Sequence, residues 1–154
     1  MNKLSYSLAR TSFLSLFCCF PLLLLGQIKL NLDETKTALS GYDPVTYFES
    51  NPSTGSAKIK TTYSNAIYLF VNEKNLKIFL QDPEKYLPQY GGWCAYAMGV
   101  NGETVSVNPK SFTLENGKLY LFYKSVINDT RKKWIKDNLN LKTKADANWK
   151  KLTQ

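Results

Sequence analysis

The chain has 154 residues, of which 44% are hydrophobic and 21% are charged, and 20 basic residues outnumber 12 acids. This composition excludes a disordered tail or a fibrous protein and fits one globular domain. The chain contains no histidine, which argues against the cysteine–histidine pair that most thiol nucleophiles need.

Residues 1–26 have the pattern of a secretory signal peptide. Lys3 and Arg10 precede an apolar run without charge at 12–26, and Pro21 interrupts that run. A membrane-spanning helix is the alternative, but a span needs about 20 apolar residues and this run is shorter. We therefore predict an exported protein, periplasmic or secreted, that keeps no stable membrane anchor after cleavage.

Removal of this peptide changes the charge and the cysteine content. Lys3 and Arg10 leave with it, so 20 − 2 = 18 basic residues face 12 acids and the net charge is +6. Of three cysteines, only Cys94 remains. An unpaired cysteine in an oxidising compartment is either a reactive thiol, open to pairing with another chain, or a small buried hydrophobe.

The first half of the chain predicts an arm, a short helix and a hairpin. Residues 27–37 are a polar lead-in, predicted to be loosely held. Asp43 followed by a proline is a helix start, which predicts a short helix over 43–49. Residues 58–72 alternate and are rich in β-branched and aromatic side chains. They predict a β-hairpin that turns at 64–66.

The middle of the chain predicts helical segments and an irregular corner. Asn72 can cap a helix over 73–81, and an aspartate–proline pair restarts a short helical turn at 82–87. Residues 88–92 contain two glycines and predict a corner, and 94–98 predict a buried helical turn. The inward face predicted for the helix over 73–81 consists of Leu76, Phe79 and Leu80.

The C-terminal third predicts a second hairpin and two amphipathic helices. Residues 104–109 fit a loop or short strand, and Asn116–Gly117 between alternating runs predicts a hairpin over 111–123. Helices are predicted over 126–138 and 142–152. Their predicted inward residues are Ile127, Trp134, Ile135, Ala145, Trp149 and Leu152. No internal repeat is recognised, and hairpins followed by helices predict one α+β domain.

The positive charge does not indicate a nucleic-acid partner. Lysines are scattered, and the densest run at 131–136 fits the solvated face of a helix. Weak attraction to anionic membrane surfaces is compatible with this charge but unspecific.

Cys94 and Met98 are the candidate metal ligands. Four residues apart on a helix, both sulfurs would lie on one face, and thiolate with thioether favours Cu(I). The alternative is that the methionine fills the core. Structural zinc is excluded because such a site needs several cysteines or histidines. A catalytic carboxylate pair is disfavoured because the candidate aspartates have capping roles.

Aromatic residues on either side of the glycines suggest a small-ligand pocket, since aromatic walls with a few polar tips are typical of one. The alternative is that they form the core of a small domain. They are Tyr42, Tyr47, Tyr86, Tyr90, Trp93 and Tyr96.

Four blocks in this order, at 41–48, 79–99, 116–123 and 144–152, resemble exported proteins that carry a YHS domain. The resemblance covers about residues 38–152. It implies a small α+β fold and an exported compartment. It also suggests metal binding, because domains of this family occur beside copper-transporting ATPases.

The chain departs from the metal-associated form of that family. Val71 and Asn75 stand where that form has two cysteines, and the histidine of the domain's name is missing after Tyr63. What the chain shares with the exported branch is the block "YGGWCAYAMG", which contains Cys94.

These observations predict an exported, non-enzymatic YHS-type protein that binds copper, as a soft metal ion, or a small ligand near Cys94. The resemblance selects Asp43, Tyr47, Tyr90, Gly91 and Gly92 as pocket-lining candidates. Two alternatives remain open. Cys94 is the reactive thiol of a redox or protein-interaction module, or it is a packing residue in a purely structural domain.

Overall fold

A computed structural model describes residues 30–154 of the protein. The predicted signal peptide and the first residues of the predicted arm lie outside this part. The fold class is confirmed as mixed α+β, since the described residues form two small antiparallel sheets and five helices. No helix within residues 30–154 is long and apolar enough to cross a membrane.

The elements follow one another along the chain in the order strand pair, helices, strand pair, helices. The strands are β1 (Ser56–Tyr63), β2 (Ala66–Phe70), β3 (Asn108–Glu115) and β4 (Lys118–Phe122). The helices are α1 (Glu73–Gln81), α2 (Pro83–Tyr86), α3 (Ala95–Asn101), α4 (Thr130–Lys136) and α5 (Asn138–Thr153). Three tight 3₁₀ turns span Leu39–Gly41, Pro44–Tyr47 and Gln89–Gly92.

Local sequence signals place several elements correctly. Both hairpins form, with turns at Ser64–Asn65 and Asn116–Gly117 whose four residues all have positive φ. The Asn72 side chain caps α1 by accepting a hydrogen bond of 2.8 Å from the amide of Asn75. The segment 94–98 is helical as predicted, with Cys94 in the capping position of α3.

The prediction of a helix over 126–138 is wrong at its start. Asp129 caps α4 by accepting from the Arg131 amide, so the helix begins at Thr130. Val126 and Ile127 precede it in a loop and are 103% and 96% exposed. Three further residues predicted to face inward are more than half exposed: Leu80, Ile135 and Leu152.

Other boundaries also differ from the predictions. The helix predicted over 43–49 is a single 3₁₀ turn at Pro44–Tyr47. The arm is not loosely held over its described part. The Asn31 amide donates to the carbonyl of Gly91, and its side chain donates to that of Gly92, both at 2.9 Å.

The two hairpins have the same construction. In each, an eight-residue strand turns through two residues into a five-residue strand. Each ladder is irregular at the same place, between Ser56 and Lys60 in one and between Asn108 and Phe112 in the other. The prediction that the chain has no internal repeat is therefore wrong at the level of structure.

The correspondence extends to the segment before each hairpin. The turns at Leu39–Gly41 and Gln89–Gly92 each contain three consecutive residues with positive φ. Two residues after each turn, a backbone amide donates a hydrogen bond of 2.9 Å to a carbonyl in the segment that leads into the following hairpin. Asp43 donates to the Ser53 carbonyl and Cys94 to that of Val105. We call residues 37–86 the first unit and residues 88–153 the second unit.

The helix after each hairpin also corresponds. In α1 the buried residues are Asn75 and Phe79, and in α4 they are Thr130 and Trp134, four apart in both cases. Two residues separate β2 from α1, whereas seven separate β4 from α4. The link from β4 to α4 is thus 7 − 2 = 5 residues longer than the link from β2 to α1, and we call residues 124–128 of this longer link the insertion.

Each unit contributes most of one core. The first core packs around Tyr47, Phe70 and Phe79, and the second packs around Met98, Phe122 and Trp134. The two cores meet across β4, whose Leu119 and Leu121 face the first while Tyr120 and Phe122 face the second. This alternation follows from the period of two in a strand.

Candidate functional site

Cys94 lies in a closed ring of hydrogen bonds between the start of α3 and the end of β4. The Tyr123 amide donates to its Sγ at 3.3 Å, and Sγ lies 3.4 Å from Thr130 Oγ1. The Thr130 hydroxyl donates to the Tyr123 carbonyl at 2.7 Å. A hydroxyl has one proton, so in the contact with Thr130 the thiol is the donor.

This ring surrounds a fully buried sulfur. Cys94 is 0% exposed, and its sulfur has a donor on one side and an acceptor on the other. A thiol that reacts must first become a thiolate and be reached by its partner. The geometry therefore does not favour Cys94 as the reactive thiol of a redox or interaction module.

In the first unit a carboxylate occupies the position of the thiol and makes corresponding contacts. Asp43 corresponds to Cys94, and the amide of Val71, the residue after β2, donates to Asp43 Oδ2 at 2.9 Å. The Asn75 side chain donates to the same oxygen at 2.8 Å, and Oδ1 accepts from Val45 at 2.8 Å. Val71 and Asn75 thus complete a satisfied polar cluster inside the protein.

A pocket of about 280 Å³ opens to the surface beside Cys94 in the second unit. It is mostly apolar and lies between α3, the insertion and the segment around Val105 that leads into β3. Its lining residues are Cys94, Tyr96, Ala97, Val100, Asn101, Val105, Tyr123, Asn128 and Thr130.

One buried polar atom of a lining residue has no hydrogen-bond partner among residues 30–154. Asn128 Oδ1 is buried and accepts no hydrogen bond, although a buried carbonyl oxygen without a donor costs about 1–3 kcal/mol. Asn128 belongs to the insertion, the longer link that precedes α4. A ligand with one hydrogen-bond donor would satisfy this oxygen.

The corresponding space in the first unit is closed by polar contacts. Thr46, which corresponds to Ala97, accepts a hydrogen bond of 3.0 Å from the Ser53 amide and donates to the Asp43 carbonyl at 2.7 Å. The second unit has an alanine and a valine at the positions of Thr46 and Ser53. Loss of these polar contacts leaves room for the pocket.

The five predicted pocket residues do not surround one pocket. Asp43 and Tyr47 lie in the first unit, and the Tyr47 hydroxyl donates to the Pro109 carbonyl at 2.9 Å. Burial raises the pKa of Tyr47. Tyr47 belongs to the core, as the alternative interpretation of the aromatic residues predicts. Asp43 belongs to the buried polar cluster with Val71 and Asn75.

Tyr90, Gly91 and Gly92 lie at the corner of the second unit, away from the lining of the Cys94 pocket. The Tyr90 hydroxyl donates to Asp146 Oδ1 at 2.9 Å, and burial, followed by this bond, raises the pKa of Tyr90. A Cβ on Gly91 would lie 2.8 Å from the Trp149 ring, so the glycine permits close packing. Tyr90 and Gly91 line a separate, more polar hollow of about 520 Å³.

The donor set around Cys94 does not fit a complete soft-metal centre. Met98 is fully buried and packs in the second core, and it does not line the pocket. Among residues 30–154, no group of three or more cysteine, histidine or acidic side chains is placed to hold a metal ion. A Cu(I) ion would depend on two sulfurs, of which one is held in the ring with Thr130.

Comparisons of the chain with protein-family models, with curated proteins and with solved structures found no match. The site is therefore interpreted from its own geometry.

Sequence reasoning singled out only Cys94 and Tyr96 among the nine lining residues of the pocket. Three of the seven that it missed are Tyr123, Asn128 and Thr130. They come from the end of β4, the insertion and the start of α4, and they meet Cys94 only in the folded chain. The one local signal was the Asp129 cap, which sets the helix start at Thr130 and leaves 124–128 as a loop.

Proposed function

We propose that this chain is an exported YHS-type protein without catalytic activity that binds a small, largely apolar ligand in the pocket beside Cys94. The ligand has one hydrogen-bond donor, which reaches Asn128 Oδ1. Cys94 forms part of the pocket wall and keeps its thiol proton. Its role is to hold the end of β4 against α3, and through it the shape of the pocket.

The single observation that supports this proposal most is the buried, unpartnered oxygen of Asn128, a residue that lines a mostly apolar pocket. Pockets for small molecules combine apolar walls with a few polar groups that fix orientation. A polar oxygen buried at a cost to stability is explained if a bound molecule offsets that cost.

Among the ligand classes expected from the sequence, the geometry favours a small organic molecule over copper. An organic ligand needs no deprotonated sulfur and uses the apolar residues of the wall. Metal binding needs a thiolate, and the ring with Tyr123 and Thr130 uses the proton and one acceptor position of the sulfur.

The test uses the protein secreted by a bacterial host, with its N terminus read by mass spectrometry. The probe is 1-N-phenylnaphthylamine, an apolar fluorophore with one N–H donor whose emission rises in apolar surroundings. We expect saturable emission with one site. Ala97→Phe, which fills the pocket, should abolish it, while Ala147→Phe on the exposed face of α5 should leave it unchanged.

The Asn128 oxygen is tested by Asn128→Leu, which removes the acceptor and keeps the volume similar. Affinity for the probe should fall by roughly tenfold, because one hydrogen bond is worth about 1 kcal/mol or more when its partner is buried. Equal binding by the Ala97→Phe variant would contradict the proposal.

Copper is tested separately by anaerobic titration with Cu(I) against a competing chelator. Tight binding that is lost in both Cys94→Ala and Met98→Ala would replace the organic ligand by a metal. A disulfide-linked dimer on a non-reducing gel, absent in Cys94→Ala, would instead support the thiol-interaction alternative.

A further inference from the structure

The insertion of the second unit presents two adjacent aliphatic side chains to solvent. Val126 and Ile127 are 103% and 96% exposed, in a loop that no helix or strand of residues 30–154 covers. Single exposed apolar residues are normal. Val126 and Ile127 are neighbours in the inserted loop, and each is as exposed as in an unfolded chain. Such a pair indicates a surface that contacts an apolar environment outside the protein.

The same part of the chain carries most of the positive charge. Residues 110–136 contain seven basic and two acidic side chains, a net charge of 7 − 2 = +5. The whole segment 27–154 carries +6. The remaining residues are therefore nearly neutral, and the excess charge lies in the stretch of chain that contains the insertion.

Several of these charges lie next to the aliphatic pair. Lys110 and Lys124 line one hollow together with Val126. Lys133 lies over the Tyr96 ring, 5.7 Å from its centre, at the pocket that Asn128 also lines. The basic groups thus flank the insertion from the β3 side and from the α4 side.

The two acids of this segment are engaged in internal contacts. Glu115 Oε1 accepts from the Trp134 ring nitrogen at 3.0 Å. Asp129 caps α4 and lies 3.9 Å from the Lys124 ammonium, with only 14% of its side chain exposed. The outward-facing charge around the insertion is therefore positive.

We infer that this loop docks the protein on an anionic phospholipid bilayer. Val126 and Ile127 enter the interfacial region, while Lys110, Lys124 and Lys133 lie at the level of the headgroup phosphates. Aliphatic insertion combined with basic flanks is the combination by which peripheral proteins bind such membranes. The bilayer is the occupant that the exposed aliphatic pair and the flanking basic groups favour together.

Docking in this orientation places the mouth of the Cys94 pocket near the lipid surface. Tyr123 and Asn128 flank the aliphatic pair in sequence and also line the pocket. The docking itself does not depend on the proposed ligand, because the loop and the charges are outside the pocket wall or at its rim.

The experiment measures sedimentation of the secreted protein with two kinds of vesicle. One contains phosphatidylglycerol and phosphatidylcholine in equal amounts, and the other contains phosphatidylcholine alone. We expect binding to the anionic vesicles that weakens with added salt, and little binding to the neutral ones. The double variant Val126→Ser, Ile127→Ser should bind about tenfold or more weakly.

Matched controls separate the loop from general surface changes. Leu139→Ser removes an aliphatic side chain that is 81% exposed on α5 and should bind as the unchanged protein does. Lys124→Gln with Lys133→Gln should lower the partition coefficient by roughly fivefold per charge. Lys144→Gln with Lys151→Gln, exposed on α5, should lower it much less.

Three results would overturn the inference. They are no binding to anionic vesicles, equal binding to both vesicle types, and unchanged binding by the Val126→Ser, Ile127→Ser variant. The first result would leave the loop as a contact for another protein. Far-ultraviolet circular dichroism of every variant checks that weaker binding does not come from unfolding.

Discussion

The first and second units share one backbone arrangement but have different side chains at its central buried position, Asp43 in the first and Cys94 in the second. In the first, the Asp43 carboxylate accepts three hydrogen bonds, two of them from the segment after β2. In the second, the Cys94 sulfur accepts one hydrogen bond from the residue after β4 and contacts one hydroxyl. The carboxylate cluster is filled, whereas the thiol leaves a pocket beside it.

This difference follows from what each group needs when it is buried. A buried carboxylate must have its oxygens satisfied, so the chain packs donors around it and leaves no room. A thiol is a weak donor and acceptor and tolerates an apolar neighbour. Replacing the carboxylate by a thiol therefore permits an open pocket at the same place in the framework.

The largest difference between the units is expected from truncation of these two residues. Asp43→Ala leaves the Val45 and Val71 amides and the Asn75 side chain without a buried partner. It should lower the free energy of unfolding by about 3–5 kcal/mol. Cys94→Ala should cost only about 1–2 kcal/mol. Urea unfolding monitored by tryptophan fluorescence measures both, and equal costs would contradict the assigned difference.

The corners of the two units should respond differently to replacement of one residue by alanine. Gly91 and Ser40 occupy corresponding positions with φ of +60° and +52°. Gly91→Ala forces a Cβ against the Trp149 ring and should cost about 1–3 kcal/mol. The matched change Ser40→Ala, at an exposed position, should stay within about 0.5 kcal/mol. Thermal unfolding compares them, and equal losses would show that Trp149 does not pack closely on Gly91.

Alkaline pH should act on equivalent tyrosines in both units. Burial raises the pKa of Tyr68 and of Tyr120 to about 12, so each stabilises the fold fully below pH about 10, the pKa in the unfolded chain. Above it the unfolded chain ionises first, and this stability is lost as the pH rises towards about 12.

Phenylalanine variants isolate this effect. The stability of Tyr68→Phe relative to the unchanged protein should increase by up to about 1.4 kcal/mol per pH unit between about pH 10 and 12. Tyr120→Phe should change in the same direction. Urea unfolding at a series of alkaline pH values measures it, and a pH-independent difference would mean that the hydroxyl is solvated.

The smallest expected effect is at the hairpin turns. Ser64 and Asn65 adopt positive φ without the glycine that Asn116–Gly117 supplies in the second unit. Ser64→Asn with Asn65→Gly gives the first hairpin the turn of the second and should stabilise the protein by about 0.5–1 kcal/mol. The reciprocal change Gly117→Asn should destabilise it by a similar amount. A shift of the melting temperature in the opposite direction for either variant would contradict this assignment.

Elements with local signals could be predicted from the sequence. The Asn72 cap located α1, and Asn116–Gly117 located the second hairpin, because both signals act through bonds between near neighbours. The start of α4 was misplaced because Val126 and Ile127 were taken to extend its apolar face. Their exposure depends on what the loop contacts, which periodicity does not specify.

The pocket and the repeat could not be predicted in this way. The pocket joins Cys94 to Asn128 and Thr130, which lie far along the chain, and the thiol ring exists only after the fold has formed. The repeat is preserved in hydrogen bonds and backbone angles more than in side chains. Asp43 and Cys94 occupy one structural position with unrelated residues, so comparison of the letters does not align them.

The attachment of Asn31 to the glycine corner determines how the protein would respond to mechanical load. A pull applied to the chain at residue 30 first meets the two hydrogen bonds from Asn31 to the Gly91 and Gly92 carbonyls. These bonds connect Asn31 to the second unit, although the first unit is the one that follows Asn31 in the chain. Force is therefore passed to the corner before it reaches the first hairpin, and that hairpin unfolds only after this attachment has broken.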